Sequence, residues 1–175
     1  MPRFKRLVAE VIRRSSVARK VMRFAASRAP AAGVAGVILH EGRVLLFEHV
    51  FWTAARWGLP GGRLKEGEDP AAGLRREVRE ECGLEIEVIS PLKTSAESGA
   101  THFLCRPGHI PEWLAPEASG DQHLSFEVLQ ARWFIPAEMP AELLPSHRRA
   151  IAAALENRGQ GPGVRDQRKT NTKTP

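Results

Sequence analysis

The feature that most constrains this chain is a helix predicted over residues 70–82. Asp69 is a suitable N-cap, Pro70 suits the first helical position, and Gly83 suits the residue after the last turn. Start and stop signals of this quality on both sides fix the length and register of the helix before any other element is considered.

The predicted helix has two distinct faces. Its apolar stripe consists of Ala71, Leu74 and Val78. A neighbouring sector carries three glutamates at i, i+3 and i+4, namely Glu77, Glu80 and Glu81. The stripe predicts docking on a sheet. Clustered carboxylates repel one another, and a hard divalent cation such as Mg²⁺ or Mn²⁺ would hold them together. Taken alone, a glutamate-rich face is more typical of a solvated helix surface than of a metal site.

The flanking segments predict a mixed α/β fold. Predicted strands cover Gly33–His40, Arg43–Val50, Glu85–Ser90, Thr101–Cys105 and Phe126–Phe134, with a turn at Glu41-Gly42 that suits a hairpin. Residues 51–67 are rich in Trp, Gly and Pro and predict a loop, 136–144 a turn or short helix, and 146–155 a final helix. Because strands and helices alternate irregularly, we expect a mixed sheet with helices on both faces.

The net charge of +6 is distributed unevenly along the chain. Residues 1–28 carry +8 and residues 157–175 carry +4, whereas residues 29–156 carry −6. The acidic middle argues against a core that grips nucleic acid by neutralising phosphates. If this core handles phosphates, it needs a divalent cation between itself and its substrate.

The two basic ends flank the predicted domain. Residues 3–28 predict a basic amphipathic helix, with three interpretations: a helix packed on the domain, a surface helix for an anionic membrane or a partner, and an Arg-rich transit peptide. The composition of residues 157–175 predicts a disordered tail. We therefore expect three parts, residues 1–32, 33–156 and 157–175.

Cysteine content and hydropathy favour a cytoplasmic protein. The two cysteines, Cys82 and Cys105, cannot form a disulfide framework. No window approaches 18 consecutive apolar residues, and no apolar stretch near the N-terminus resembles a secretory signal.

The stretch Gly62–Leu84 reads GRLKEGEDPAAGLRREVREECGL and follows the turn Trp57–Gly62. It resembles the Nudix hydrolase signature, G-x5-E-x7-R-E-U-x-E-E-x-G-U, where U is a bulky aliphatic residue. Every specified position matches: Gly62, Glu68, Arg76, Glu77, Val78, Glu80, Glu81, Gly83 and Leu84. The resemblance extends over about residues 33–156. It implies a Nudix-type α/β/α sandwich with a mixed sheet.

The resemblance also implies a metal site. In that family the helix glutamates, here Glu77, Glu80 and Glu81, hold divalent metals, Mg²⁺ or Mn²⁺. The backbone carbonyl of the glycine before the signature, here Gly61, is a further ligand.

Further roles follow by position. Glu68 would pair with Arg76 and brace the loop against the helix, in support of the metal ligands. A late acidic residue often binds metal or acts as general base. Glu127, six residues before Trp133, is the candidate, and Asp121 is the reserve.

The reaction that the resemblance implies is hydrolysis of a diphosphate bond in a nucleoside diphosphate linked to another moiety X. Trp52, Phe103 and Trp113 could stack on a base, although each also suits packing. We expect His49, His102, His109 and His123 to be structural or surface residues.

Two alternatives to this reaction stay open. One is a non-catalytic nucleotide-binding or regulatory Nudix domain. The other stays within enzymes: a diphosphate isomerase, or an RNA 5′ pyrophosphohydrolase whose basic ends hold the polyanion. Contact of those ends with an anionic membrane, or a homodimer, would also give them a purpose.

Overall fold

The structure is a computed structural model of the chain. The residues it describes are 4, 5, 7, 8, 10, 32–52, 55–94, 99–118 and 123–159. Within these ranges, no helix combines the length and the apolar character that crossing a membrane requires.

The described elements follow the predicted order closely. They are β1 (Gly33–His40), β2 (Arg43–His49), β3 (Trp57–Gly58), β4 (Gly61–Arg63), α1 (Pro70–Cys82), β5 (Ile86–Pro91), β6 (Ala100–Pro107), β7 (Val128–Phe134) and α2 (Pro145–Gly159), with short 3₁₀ turns at Glu112–Leu114 and Pro136–Glu138. The exception is the predicted loop 51–67, which contains β3 and β4. Strands of two and three residues are too short to show an alternating pattern in the sequence.

The strands form one mixed sheet in the order β3-β2-β1-β6-β5, with β4 paired to β1 and β7 paired to β2. The pairing of β1 with β6 is parallel, and the other pairs are antiparallel. The β1–β2 hairpin turns through Glu41 and Gly42, both at positive φ (46° and 78°), which matches the twist of the strands it joins.

Two apolar cores cover the two faces of the sheet. The core on the α1 side includes Val34, Ile38, Leu45, Phe47, Leu74, Val78 and Cys82. The core on the α2 side includes Ala35, Val37, Leu39, Val44, Leu46, Ala150, Ile151 and Ala154. Because side chains on β1 and β2 alternate between these sets, both central strands are buried on both faces. The fold is therefore the predicted α/β/α sandwich.

The ends are described only in part. Phe4, Lys5, Leu7, Val8 and Glu10 are helical, and the rest of the predicted N-terminal helix, residues 3, 6, 9 and 11–28, lies outside the described residues. Helix α2 continues to Gly159, three residues into the predicted tail, and residues 160–175 also lie outside.

Candidate active site

Helix α1 is fixed at both ends and along one face. The Asp69 carboxylate accepts a hydrogen bond from the Ala72 N–H at 2.8 Å, and the Gly83 N–H donates to the Arg79 carbonyl at 2.8 Å with Gly83 at φ 69°. Leu74 and Val78 are fully buried against the sheet. Capping and docking together set the direction of the glutamate sector beside the apolar stripe.

Arg76 connects the loop before α1 to the glutamates on the helix. Its guanidinium donates twice to the Glu68 carboxylate, at 2.7 Å each, and once to Glu77 at 2.8 Å. It also donates to the Arg63 carbonyl at 3.1 Å and to Glu80 at 3.3 Å. The hydrogen bonds from Arg76 hold the pKa of Glu68 down at about 2. The pairing of Glu68 with Arg76 expected from the sequence is present.

Glu81 is the most buried acid of the site, with 7% of its surface exposed. Its carboxylate accepts a hydrogen bond from the Gly61 N–H at 3.0 Å. Burial raises its pKa to about 8, the Gly61 hydrogen bond opposes that shift, and the charges of Glu77, Glu127 and Glu80 add to it. These four glutamates, the acidic cluster, therefore share one electrostatic environment.

The glycine turn before α1 allows β4 to approach both β1 and the helix. Gly61 has φ 146°, and a Cβ atom there would collide with the Val34 carbonyl. A Cβ atom at Gly62 would collide with the Glu77 carboxylate. Only residues without side chains fit both contacts, which explains why two glycines stand side by side at this point.

Glu127 lies in the turn immediately before β7 and is exposed. The turn is attached to its surroundings by backbone hydrogen bonds: the Ser125 N–H donates to the Glu81 carbonyl at 2.8 Å, and the Val50 N–H donates to the Glu127 carbonyl at 2.8 Å. Glu127 is near enough to influence the pKa of Glu81. The reserve candidate, Asp121, lies outside the described residues.

The acidic cluster fits a divalent cation by the chemistry of its donors. All of its side-chain donors are hard carboxylate oxygens, which Mg²⁺ and Mn²⁺ prefer. Across the described residues, no three potential ligands converge on one point. The reason is visible in their partners, because Glu77 is turned to Arg76 and Glu81 to the Gly61 N–H. Metal binding would require these carboxylates to exchange those partners.

The three aromatic residues predicted to contact a base differ in their surroundings. Phe103 is 8% exposed and belongs to the α1-side core, which favours the packing alternative. Trp113 packs partly on the same core and lies 5.3 Å from the His123 ring. Trp52 is half-buried and stacks on His49, with ring centroids 3.9 Å apart.

Sequence reasoning did not find a cluster of three buried histidines, His49, His102 and His147. The His102 and His147 rings lie 5.4 Å apart, and Trp52 lies between His49 and His147. Burial lowers the pKa of His49 to about 4 and that of His147 to about 3. His147 accepts a hydrogen bond from the Leu59 N–H at 2.9 Å, two residues before Gly61. The expectation that His49 and His102 are structural agrees with this burial.

An aromatic pair also escaped sequence reasoning. Phe126, next to Glu127, is 49% exposed, and its ring lies 5.9 Å from that of Phe51. The only signal in the sequence was the position of Phe126 beside the candidate base.

The fold and the site define a class, an α/β/α domain with an acidic helix behind a glycine turn. The family model described as NUDIX domain matches residues 27–154. The chain therefore belongs to the Nudix family, and it is a Nudix pyrophosphohydrolase.

Individual relatives agree with this assignment. The chain is 31% identical over 137 residues to a MutT-like protein of Streptomyces ambofaciens, covering 75% of this chain and 80% of that protein. It is 33% identical over 125 residues to a CMP-5'-(N-acetyl-N-hydroxy-3-aminopropyl)phosphonate hydrolase of Streptomyces rubellomurinus, covering 69% of this chain and 58% of that protein. A Nudix hydrolase structure from Nitrosomonas europaea shares the fold, with a TM-score of 0.60, 20% identity, and coverage of 77% of this chain and 74% of that one.

Proposed function

We propose that the protein uses a divalent metal to hydrolyse a diphosphate bond in a nucleoside diphosphate linked to another moiety X. The observation that carries the proposal is the acidic cluster: Glu77, Glu80 and the buried Glu81 lie on α1, the Glu81 carboxylate accepts the Gly61 N–H at 3.0 Å, and Glu127 contributes to its electrostatic surroundings. A relative whose name describes hydrolysis of a CMP-linked phosphonate supports a substrate of this kind.

The residues that would hold Mg²⁺ or Mn²⁺ are Glu77, Glu80, Glu81 and Glu127, together with the Gly61 carbonyl. When bound, the cation offsets the charge of the diphosphate and lowers the pKa of a coordinated water. The charges of Glu77, Glu80 and Glu127 oppose the ionised form of Glu81, so the repulsion among the four carboxylates is what cation binding would relieve.

The remaining roles are assigned to side chains of the chain itself. Glu127, exposed beside the buried Glu81, accepts a proton from the attacking water as general base. Arg76 and Glu68 position the loop and α1 relative to each other, and their double hydrogen bond gives that contact a fixed geometry. Asp121 remains the alternative base.

Recognition of the substrate's nucleobase is assigned to exposed or half-buried aromatic rings. Trp52 and Trp113 keep their proposed roles, since neither is fully buried. Phe126 is added, because its exposed ring lies one residue from Glu127. A ring that stacks on a nucleobase contributes about 1–3 kcal/mol per base.

The proposal is tested by incubating the protein with Mg²⁺ or Mn²⁺ and a panel of nucleotide sugars, ADP-ribose, dinucleoside polyphosphates, nucleoside triphosphates and capped RNA. Glu80→Gln/Glu81→Gln is the inactive variant, and Glu66→Gln, an exposed glutamate of the preceding loop, is the matched control. We expect metal-dependent products, resolved by ion-exchange chromatography, from the wild type and the control alone. Equal turnover by the double variant would overturn the site. Tight nucleotide binding without turnover would instead favour the regulatory alternative.

The wider proposals concern the ends of the chain. We retain the division into residues 1–32, 33–156 and 157–175, and the cytoplasmic location, as predictions. Contact of the basic ends with RNA or an anionic membrane, and a homodimer, also remain predictions. A salt-dependent turnover of 5′-triphosphate RNA would support the RNA alternative.

A further inference from the structure

Lys5 connects the N-terminal segment to a loop of the domain more than a hundred residues away. Its ammonium group donates to the Leu124 carbonyl and to the Ser125 carbonyl, at 3.0 Å each. Lys5 is half-buried, whereas its neighbours Phe4 and Leu7 are 63% and 62% exposed. The described part of the segment therefore contacts the domain through the face that carries Lys5.

The loop that Lys5 holds leads directly to the candidate base. Leu124 is buried in the α1-side core, and the Ser125 N–H donates to the Glu81 carbonyl at 2.8 Å. The Ser125 carbonyl also accepts from the Val128 N–H at 3.2 Å, which closes the turn containing Glu127. Both carbonyls that Lys5 contacts thus belong to the backbone that fixes Glu127 beside Glu81.

We infer that Lys5 is a positioning residue of this hydrolase: it clamps residues 124–125 and thereby sets the place of Glu127 in the acidic cluster. The inference rests on the proposed function for its catalytic consequence, but the clamp itself does not. Lys5 stands outside the family match over residues 27–154, so this contact is an addition of the N-terminal segment to the domain.

The chemistry of the contact suits lysine. An ammonium group carries three donors on a flexible stem, so it can serve two successive carbonyls that point in different directions. Hydrogen bonds from a charged donor are stronger than those between neutral groups, and partial burial limits competition from water. Methionine keeps most of the apolar stem and removes both bonds, whereas arginine retains charge and donors.

The first test measures the clamp without any substrate or metal. Hydrogen–deuterium exchange of the full chain follows the amides of Ser125 and Val128 in wild type, Lys5→Met, Lys5→Arg and Lys93→Met, the last being an exposed lysine after β5. We expect Lys5→Met to accelerate exchange of this segment about 10-fold, as loss of a charged hydrogen bond predicts. In Lys5→Arg these amides are expected to exchange more slowly than in Lys5→Met, and in Lys93→Met they are expected to exchange at the wild-type rate. Unchanged exchange in Lys5→Met would overturn the clamp.

The second test measures the catalytic consequence with the best substrate of the panel above. Lys5→Met should lower kcat about 10-fold and change KM less than about 2-fold, because a misplaced base affects the chemical step. In a Glu127→Gln background the same substitution should change kcat less than about 2-fold. Full activity of Glu127→Gln alone would overturn the proposed role of that residue. Equal losses from Lys5→Met in both backgrounds would overturn only the inference about Lys5.

Discussion

The acidic cluster, formed by α1 and the turn before β7, and the histidine cluster, which includes His147 of α2, are two polar groups set into the same sandwich. Burial favours the neutral form in both, so it shifts their pKa values in opposite directions. In the acidic cluster, burial opposes the ionised form of Glu81, while Glu80 and Glu127 remain exposed. In the histidine cluster, burial favours the neutral rings, and His147 uses its neutral form to accept the Leu59 N–H.

The difference distinguishes a site for chemistry from a polar part of the core. The neutral rings of the histidine cluster place no charge in the core, whereas neighbouring carboxylates repel one another and lower the stability of the fold unless something offsets their charge. The cluster that destabilises the isolated domain is therefore the one expected to bind a cation and an anionic substrate. The other cluster supports the turn that leads to Gly61.

Among the tests of this comparison, the largest effect is expected from Glu81→Gln. Activity should fall about 10²–10⁴-fold, because Glu81 is a proposed metal ligand and the cation supplies several kcal/mol of transition-state stabilisation. The free energy of unfolding of the metal-free protein should increase. Glu81 has a folded pKa of about 8, above its unfolded value, so its stabilising contribution is present below about pH 4.5 and is lost as pH rises toward 8.

Glutamine imitates the protonated carboxyl and can still accept from the Gly61 N–H. At pH 7 with a chelator, we therefore expect the free energy of unfolding of Glu81→Gln, measured in urea, to exceed that of wild type by about 1–3 kcal/mol. Glu66→Gln should change neither activity nor stability. A variant that is both inactive and less stable would show that Glu81 is a structural residue.

A smaller effect is expected from Arg76→Lys, which tests how the acidic cluster is held. Lysine keeps the charge but cannot donate to Glu68 in the double geometry and reach Glu77 as well. We expect kcat/KM to fall about 10–100-fold, since small misplacements of positioned groups have effects of this size. Arg75→Lys, an exposed neighbour on the same helix, is the matched control. Equal activity of the two variants would contradict the assigned role of Arg76.

The smallest effect concerns the histidine cluster and appears on acidification. His49 and His147 have folded pKa values of about 4 and 3, below the unfolded value of 6.5, so the unfolded state binds more protons below pH 6.5. The stabilising contribution of the two neutral histidines is then fully present above pH 6.5 and decreases as pH falls. Each histidine should lower the free energy of unfolding by about 1–2 kcal/mol when the pH falls from 7 to 5.

Urea unfolding at pH 7 and pH 5 measures this dependence. Glutamine at position 147 can still accept the Leu59 N–H. Between pH 7 and pH 5, His147→Gln should therefore lose about 1–2 kcal/mol less unfolding free energy than wild type, the contribution of one histidine. His109→Gln, at an exposed position, should follow wild type. If His147→Gln loses as much stability on acidification as wild type, His147 is not neutral in the native protein.

Much of the fold and the outline of the site could be predicted because their signals are local. Asp69, Pro70 and Gly83 bound α1 within a few residues of chain, and the structure begins and ends the helix where they indicate. The hairpin at Glu41-Gly42 also depends on a short separation, whereas the pairing of Glu68 with Arg76 was expected from the resemblance to the Nudix signature. The strands β3 and β4 were missed because two or three residues carry no period.

By itself, the sequence determined the class of this protein: an acidic helix behind two glycines, at a spacing that identifies the Nudix family. The tertiary structure alone decided how each group is solvated and what it touches. It buried Glu81 and Phe103, placed His49 and His147 on either side of Trp52, and brought Lys5 to the Leu124 carbonyl. These properties depend on contacts between residues far apart in the chain, and burial, which sets their pKa values and roles, exists only once the sheet and its two cores have assembled.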